Sequence, residues 1–311
     1  MIQNTARMDT IAAGLAPGPR ALGRGARPSG GGARPSGGGA TDVAYHQKIH
    51  RVRPLAGFLL PGALAGLALA LPLVVLLWRG VDAGFAGYLA DPSVIDAARL
   101  SVFTSATSAL VTLLLGTPLA YVLARWSFRH KAVVEAIIDL PIVLPPMVAG
   151  IGLLLAFGRN GLLGGPLHAL GIRLPFTTAA VIFAQAFVSA PLYIRAARLG
   201  FAAVRPDLIE AAYTDGATER EIFGHVMVPL AGRSMLNGLI LSWARAFGEF
   251  GATIIFAGNL QGFTQTMPLV IFTGFETNLG VALSLSLLLI LISALILLAL
   301  RSVEKNTQIN V

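Results

Sequence analysis

Cysteine is absent from all 311 residues. That excludes disulfides, thiolate metal sites and a cysteine nucleophile, though it does not fix the redox compartment. Charge is scarce as well. Asp, Glu, Lys and Arg together make up 12% of the chain, against about a quarter in ordinary globular proteins. No Gly-rich stretch ends in Gly-Lys-Ser/Thr, so there is no Walker-type cradle for ATP. The five histidines (His46, His50, His130, His168, His225) fall in tails or loops, and none are spaced as a metal pair. Asp139 and Glu249 are the sole acids within the long apolar runs, so paired carboxylates for hydrolysis are missing. The net charge of +8 is not gathered into a basic stretch interleaved with aromatics, as a single-strand nucleic-acid binder needs. These absences point away from an enzyme, a metal or cofactor carrier and a nucleic-acid partner.

What remains is oil. Hydrophobic residues make up 55% of the chain, and its mean hydropathy is +0.74. Several membrane spans are expected, since about twenty apolar residues at 1.5 Å rise cross the hydrocarbon core. Six runs qualify: residues 57–78, 100–124, 136–157, 176–194, 235–258 and 281–300. The first carries Gly62 and Gly66 in a small-xxx-small pattern of the kind used in helix packing. Residues 1–53 differ in kind. They contain Ala26-Arg-Pro-Ser-Gly-Gly-Gly and then the same seven residues from Ala33. Gly, Ser and Pro leave little to bury, so this stretch reads as a disordered tail without a signal-peptide layout. The membrane domain is expected over 54–304, and a short C-terminal tail over 305–311.

Lys and Arg give the orientation. With the N-terminus inside, the inner segments hold eighteen of the 23 and the outer ones four, namely Arg79, Arg99, Arg159 and Arg173. Arg245 falls within the fifth run. Both termini are therefore expected in the cytoplasm, as is the segment between the fourth and fifth runs.

That cytoplasmic segment is the most distinctive in the chain. Residues 210–229 spell Glu210-Ala211-Ala212, three residues, Gly216, nine residues, Val226, one residue, Val228 and Pro229. Small residues (Ala211, Ala212, Gly216, Ala217) crowd its first half and charges its second, and Gly216 allows a sharp turn. The spacing resembles the EAA motif of the membrane subunits of bacterial ABC importers, with two valines where Ile and Leu are usual. The resemblance implies that residues 207–225 form a coupling helix docking in a cleft of an ATP-hydrolysing subunit.

Two further stretches bear on a path through the membrane. Asp139-Leu-Pro141-Ile-Val-Leu-Pro145-Pro146 puts three prolines in six residues, which an unbroken helix does not tolerate. The break is either a kink shielded by neighbouring helices or a wall of a water-filled path. In the fifth run, Trp243-Ala-Arg245-Ala-Phe-Gly248-Glu249-Phe250-Gly251-Ala252-Thr253 places Arg245 and Glu249 four apart on one helical face, where they can neutralise each other. Gly248 and Gly251 beside them would let another helix approach closely.

This last stretch and the following Phe256-Ala-Gly258-Asn259-Leu-Gln-Gly262 with Thr264, Gln265, Thr266 and Pro268 resemble molybdate-type permeases. So do Asp139–Gly150 and Gly158-Arg-Asn-Gly161-Leu-Leu-Gly164. Sulfate and tungstate permeases are close, and thiosulfate stays open as cargo. The resemblance covers roughly residues 95–301. It implies an all-α membrane protein with six transmembrane helices and the type I ABC importer (MetI-like) permease fold. It also implies a second permease copy, two ATP-binding subunits that do the hydrolysis, an extracytoplasmic molybdate-binding protein, and lipid all round. Pro145, Pro146, Arg245, Gly248, Glu249, Phe250, Gly251 and Thr253 are then candidates for the path or its gate. An ATPase-independent channel or secondary transporter is the more distant alternative.

Overall fold

In lipid every backbone polar group must be satisfied within the protein, and a helix does so locally. The computed structural model describes residues 56–82 and 84–308, and every regular element among them is helical. The expected tail over 1–53 lies outside the described residues. The chain begins with α1 (Ala56–Asp82) and a single turn, α2 (Phe85–Tyr88). Next comes α3 (Pro92–Arg125), which starts where its sequence says a helix should. Pro92 takes the first turn, and the Asp91 carboxylate accepts from the Ser93 N–H at 2.8 Å and the Ser93 hydroxyl at 2.6 Å. Those bonds, the hydroxyl's first, hold the Asp91 carboxyl below its usual range. The helix runs through Pro118 without ending.

The proline-rich run breaks as expected. α4 (Lys131–Val143) stops at Leu144, and α5 (Pro146–Phe157) departs at 118° to it. After the short α6 (Gly164–Ala169) comes α7 (Thr178–Ala202), capped by the Thr177 hydroxyl. Then follow α8 (Pro206–Thr214), α9 (Glu219–Ile222), a π-helical turn over Phe223–Met227, and α10 (Val228–Phe247). The chain ends with α11 (Gly251–Phe256), α12 (Met267–Thr277) and α13 (Leu279–Gln308).

Among the described residues, four helices are long and apolar enough to cross a membrane: Phe58–Asp82, Pro92–Arg125, Thr178–Ala202 and Leu279–Leu298, with a fifth if α4 and α5 count as one bent span. The expected continuous span at 235–258 is two helices instead. α10 ends at Phe247 and α11 begins at Gly251, with the Glu249 carboxylate between them accepting from the Ala252 N–H of the new helix while it also pairs with Arg245 of the old one. α12 lies in a stretch that carried no expected span.

The core is built around α7, which packs against α3 on one side and α10 on the other. Small residues permit the close approach. A β-carbon on Gly116 would stand 3.0 Å from the Tyr193 ring, and one on Gly200 2.7 Å from Ser234 Cβ. Tyr193 is fully buried, and its hydroxyl meets Thr117 Oγ1 at 2.5 Å. By contrast α1 is almost wholly exposed within the described residues. It touches α13 near Gly80 and Leu287, while Gly62 and Gly66 face open space. The expected packing role of that glycine pair has no partner helix here.

Candidate functional site

The segment expected to be one coupling helix over 207–225 is two helices joined by a tight turn. α8 closes with a Schellman motif: Ala217 N–H donates to Ala212 O, and Gly216 N–H to Tyr213 O, both at 3.0 Å. Gly216 sits at φ +84°, the left-handed conformation that this motif requires. No atom lies within 4 Å of the β-carbon it lacks. Its demand is thus conformational, and a close approach inside the subunit is not the reason for it. Thr218 then opens α9 with a capping box. Its N–H donates to Glu221 Oε2 at 2.8 Å, and its hydroxyl accepts from Glu221 N–H at 3.4 Å. The bond from the Thr218 N–H is the main reason the Glu221 carboxyl is held below its ordinary value.

Hydrophobic anchors fix this hairpin to one end of the bundle. Ile209 and Ile222 are buried in one cluster with Phe201, Val204 and Met227. Tyr121 of α3 meets Phe201 and Phe223 edge-on at centroid distances of 5.6 and 5.0 Å. Ala212 and Ala217 are half-buried against the same cluster, while Glu210, Ala211, Tyr213 and Pro229 are exposed. α8 therefore turns Ile209 and Ala212 inward and leaves Glu210 and Ala211 on an open face. Beside it, Arg205 pairs with Asp207, and that guanidinium keeps the Asp207 carboxyl low.

The second group forms where two helix breaks meet. α5 and α11 pack side by side so closely that only glycine fits at two crossing points. A β-carbon on Gly251 would stand 2.8 Å from Pro146 Cβ, and one on Gly150 2.9 Å from both Ala252 O and Ile255 Cβ. The expected pair is present: Arg245 Nη1 donates to Glu249 Oε2 at 2.5 Å. Glu249 is 1% exposed and Arg245 36%. The other carboxylate oxygen, Oε1, accepts from the Ala252 N–H at 2.9 Å, at the start of α11. One buried carboxylate thus ends α10 and begins α11.

The remaining candidates divide. Gly251 and Thr253 are buried, Pro146 and Phe250 half-buried, Pro145 and Gly248 exposed. Phe250 stacks on Phe272 of α12 at 5.2 Å. Gly248, expected to let another helix approach, has nothing nearer its missing β-carbon than Ala244 O at 3.9 Å, so that role falls to Gly251 alone. The structure brings Pro146 together with Gly251, which the sequence had placed in separate runs. Gly150 was missed as a contact residue. The ion pair between Glu135 of α4 and Arg198 of α7 was missed too. A stripe of buried hydroxyls on α3 (Ser101, Thr104, Ser105, Ser108, Thr112) also went unread, although its three-and-four spacing was visible. Ser101 accepts from Met267 N–H at 2.7 Å and Ser105 from the Trp243 indole at 3.0 Å, tying α12 and α10 to α3. Among the described residues no cluster of three or more His, Asp or Glu side chains could hold a metal.

Similarity to known proteins agrees with this architecture. The family described as "Binding-protein-dependent transport system inner membrane component" matches residues 116–308. The molybdenum transport system permease protein ModB of Mycobacterium tuberculosis is 42% identical over 237 residues, covering 76% of this chain and 90% of that protein. The sulfate transport system permease protein CysW of Synechococcus elongatus is 33% identical over 249 residues, covering 78% and 87%. Among solved structures, a bacterial ABC transporter involved in the import of the acidic polysaccharide alginate aligns over 80% of this chain and 94% of its own, with a TM-score of 0.66 at 16% identity. That likeness speaks to the fold alone. The chain belongs to the family of binding-protein-dependent transport system inner membrane components, and is an all-helical, multi-pass permease subunit that is not itself a catalyst.

Proposed function

We propose that this chain is the permease of an ATP-driven importer for molybdate. Two copies line the path, two ATP-binding subunits lie beneath, and an extracytoplasmic molybdate-binding protein delivers cargo from above. The observation that carries the coupling part is the open face of α8. Glu210 and Ala211 are exposed on a helix whose opposite side is anchored by Ile209 and Ala212. A small residue there lets a partner's backbone come close, and Glu210 can hold the helix in its cleft. Support for the cargo is the likeness to the ModB permease. The likeness to CysW keeps sulfate as a second reading, with thiosulfate and tungstate as chemical relatives of both.

In this reading both termini are cytoplasmic and residues 1–53 are a tail. α13 runs on as helix to Gln308 through most of the expected C-terminal tail at 305–311, and six crossings arise if each broken pair, α4 with α5 and α10 with α11, completes one. ATP binding closes the partner dimer, draws the two α8 hairpins together and opens the path outward; hydrolysis returns it inward. Pro145, Pro146, Gly251 and Thr253, with the Arg245–Glu249 pair and Phe250, form the wall or gate where the half-helices meet. Ala211→Arg tests the coupling. Ala211 is exposed, so the permease should fold and assemble, while molybdate uptake and the ATPase stimulation by loaded binding protein should both collapse. Unchanged uptake would refute the assignment. Competition among molybdate, tungstate, sulfate and thiosulfate for uptake decides the cargo. Transport by the permease alone in liposomes would favour the channel reading.

A further inference from the structure

The loop from α5 to α7, residues 158–177, contains Arg159, His168 and Arg173 and not one acid. All three are exposed within the subunit and line a single open cleft of about 350 Å³, flanked by Phe157 and Phe176. That volume is of the size that holds small ligands. Neither arginine is ion-paired with a carboxylate among the described residues.

The loop is firmly folded. Leu162 N–H donates to Leu155 O at 3.0 Å, and Leu163 N–H to Ala156 O at 2.8 Å, which turns the chain back over the end of α5. A β-carbon on Gly164 would run into the carbonyls of Gly158 and Arg159. Across the cavity Phe176 sits at φ +61°, the one non-glycine residue recorded with positive φ among the described residues. Its N–H donates to Phe256 O at 3.2 Å, and its ring lies against Gly258. A bulky residue stays in that region only when its surroundings over-determine it, and such residues cluster at ligand sites. Phe157 ends α5 and Phe256 ends α11. The cavity therefore lies at the outer end of the paired half-helices.

We propose that this cavity is an oxyanion-binding site, in which the guanidinium forks of Arg159 and Arg173 hold a tetrahedral dianion beside His168 before it enters the path. Planar forks match the edges of an oxyanion, and the loop supplies no carboxylate to compete. The role in entry rests on the permease reading, because the loop's outer position follows from the Lys and Arg distribution. A lipid phosphodiester, singly charged but with two free oxygens, is the competing occupant of the same guanidinium forks.

The test uses the assembled permease–ATPase complex in phosphatidylcholine vesicles, without nucleotide or binding protein. Arginines are modified with phenylglyoxal and followed site by site by mass spectrometry, while sodium molybdate is raised at constant ionic strength. Modification of Arg159 and Arg173 should slow together and saturably, to below roughly a fifth of the starting rate, while Arg79 and Arg99, equally exposed but outside the cleft, are unaffected. A second arm omits molybdate and adds phosphatidylglycerol. Protection by molybdate makes the occupant a free oxyanion and supports the site, whereas protection by phosphatidylglycerol alone makes it a lipid headgroup and overturns it. No protection, or equal slowing at all four arginines, overturns it. So would protection conferred by added binding protein alone, which would make the loop a docking surface. Because no arm involves ATP, failure here leaves the Ala211→Arg result standing, and the reverse also holds.

Discussion

Arg245→Gln and Glu249→Gln should destabilise the permease unequally, with burial setting the order. Glu249 is 1% exposed and Arg245 36%. Without Arg245, the carboxylate stays enclosed with a single amide donor, that of Ala252 at 2.9 Å. Breaking a buried pair from that side costs about 3–5 kcal/mol. Without the Glu249 charge, the amide oxygen of the replacement still accepts from Ala252, and the half-exposed guanidinium can turn to water. The loss is then one charge-assisted hydrogen bond, about 1.5–3 kcal/mol. The double variant strands neither charge, so its cost should fall short of the two single costs together by about 1–3 kcal/mol. The assay is unfolding of the assembled transporter in detergent at fixed protein and lipid, after confirming insertion, with molybdate uptake alongside. Equal single losses, or strict additivity in the double variant, would refute the reasoning.

Tight packing at the crossing of α5 and α11 makes Gly150→Ala and Gly251→Ala each cost about 1–3 kcal/mol by overpacking. Gly248→Ala, with its nearest neighbour at 3.9 Å, should stay within about 0.5 kcal/mol; thermal unfolding compares them, and a Gly248 variant as damaging as the other two would contradict the geometry. The capping box makes α9 pH-dependent. Glu221 has its carboxyl lowered from an ordinary value of 4.5 by the Thr218 bonds, so the cap is complete above that value and lost as pH falls through the lower folded one. Hydrogen exchange at the start of α9, corrected for intrinsic rate, should hold steady from neutral pH to about 4.5 and accelerate below it. Glu221→Gln should abolish that acid step.

The local parts of this architecture were legible from residue spacing. Gly216, ten positions ahead of Val226, announced a turn, and the Schellman bonds of Ala217 and Gly216 are what that glycine makes possible. Arg245 and Glu249 could be paired because four residues separate them along a helix. The prolines at 141, 145 and 146 could be read as a break because proline lacks the donor that an intact helix needs. The interruption at 248–250 was hidden, because a glycine and a lone acid do not end a helix by themselves. Glu249 does so by capping Ala252, and α11 is held in place by Pro146 and Gly150, a hundred residues away in the chain. No periodicity encodes that contact. The solitude of α1 was equally unreadable, since its composition is that of any buried span.

The 34 residues of α3 make a rod about 51 Å long, where the hydrocarbon layer is about 30 Å thick. Even tilted, it overshoots the lipid, and near one tip it carries Tyr121, wedged between Phe201 and Phe223. The π-helical turn that follows α9 is thus tied, through those rings, to one end of the longest helix among the described residues. Under the proposed coupling, a push received at the hairpin would reach this helix through three aromatic rings, which then matter as much as the surface that takes the push.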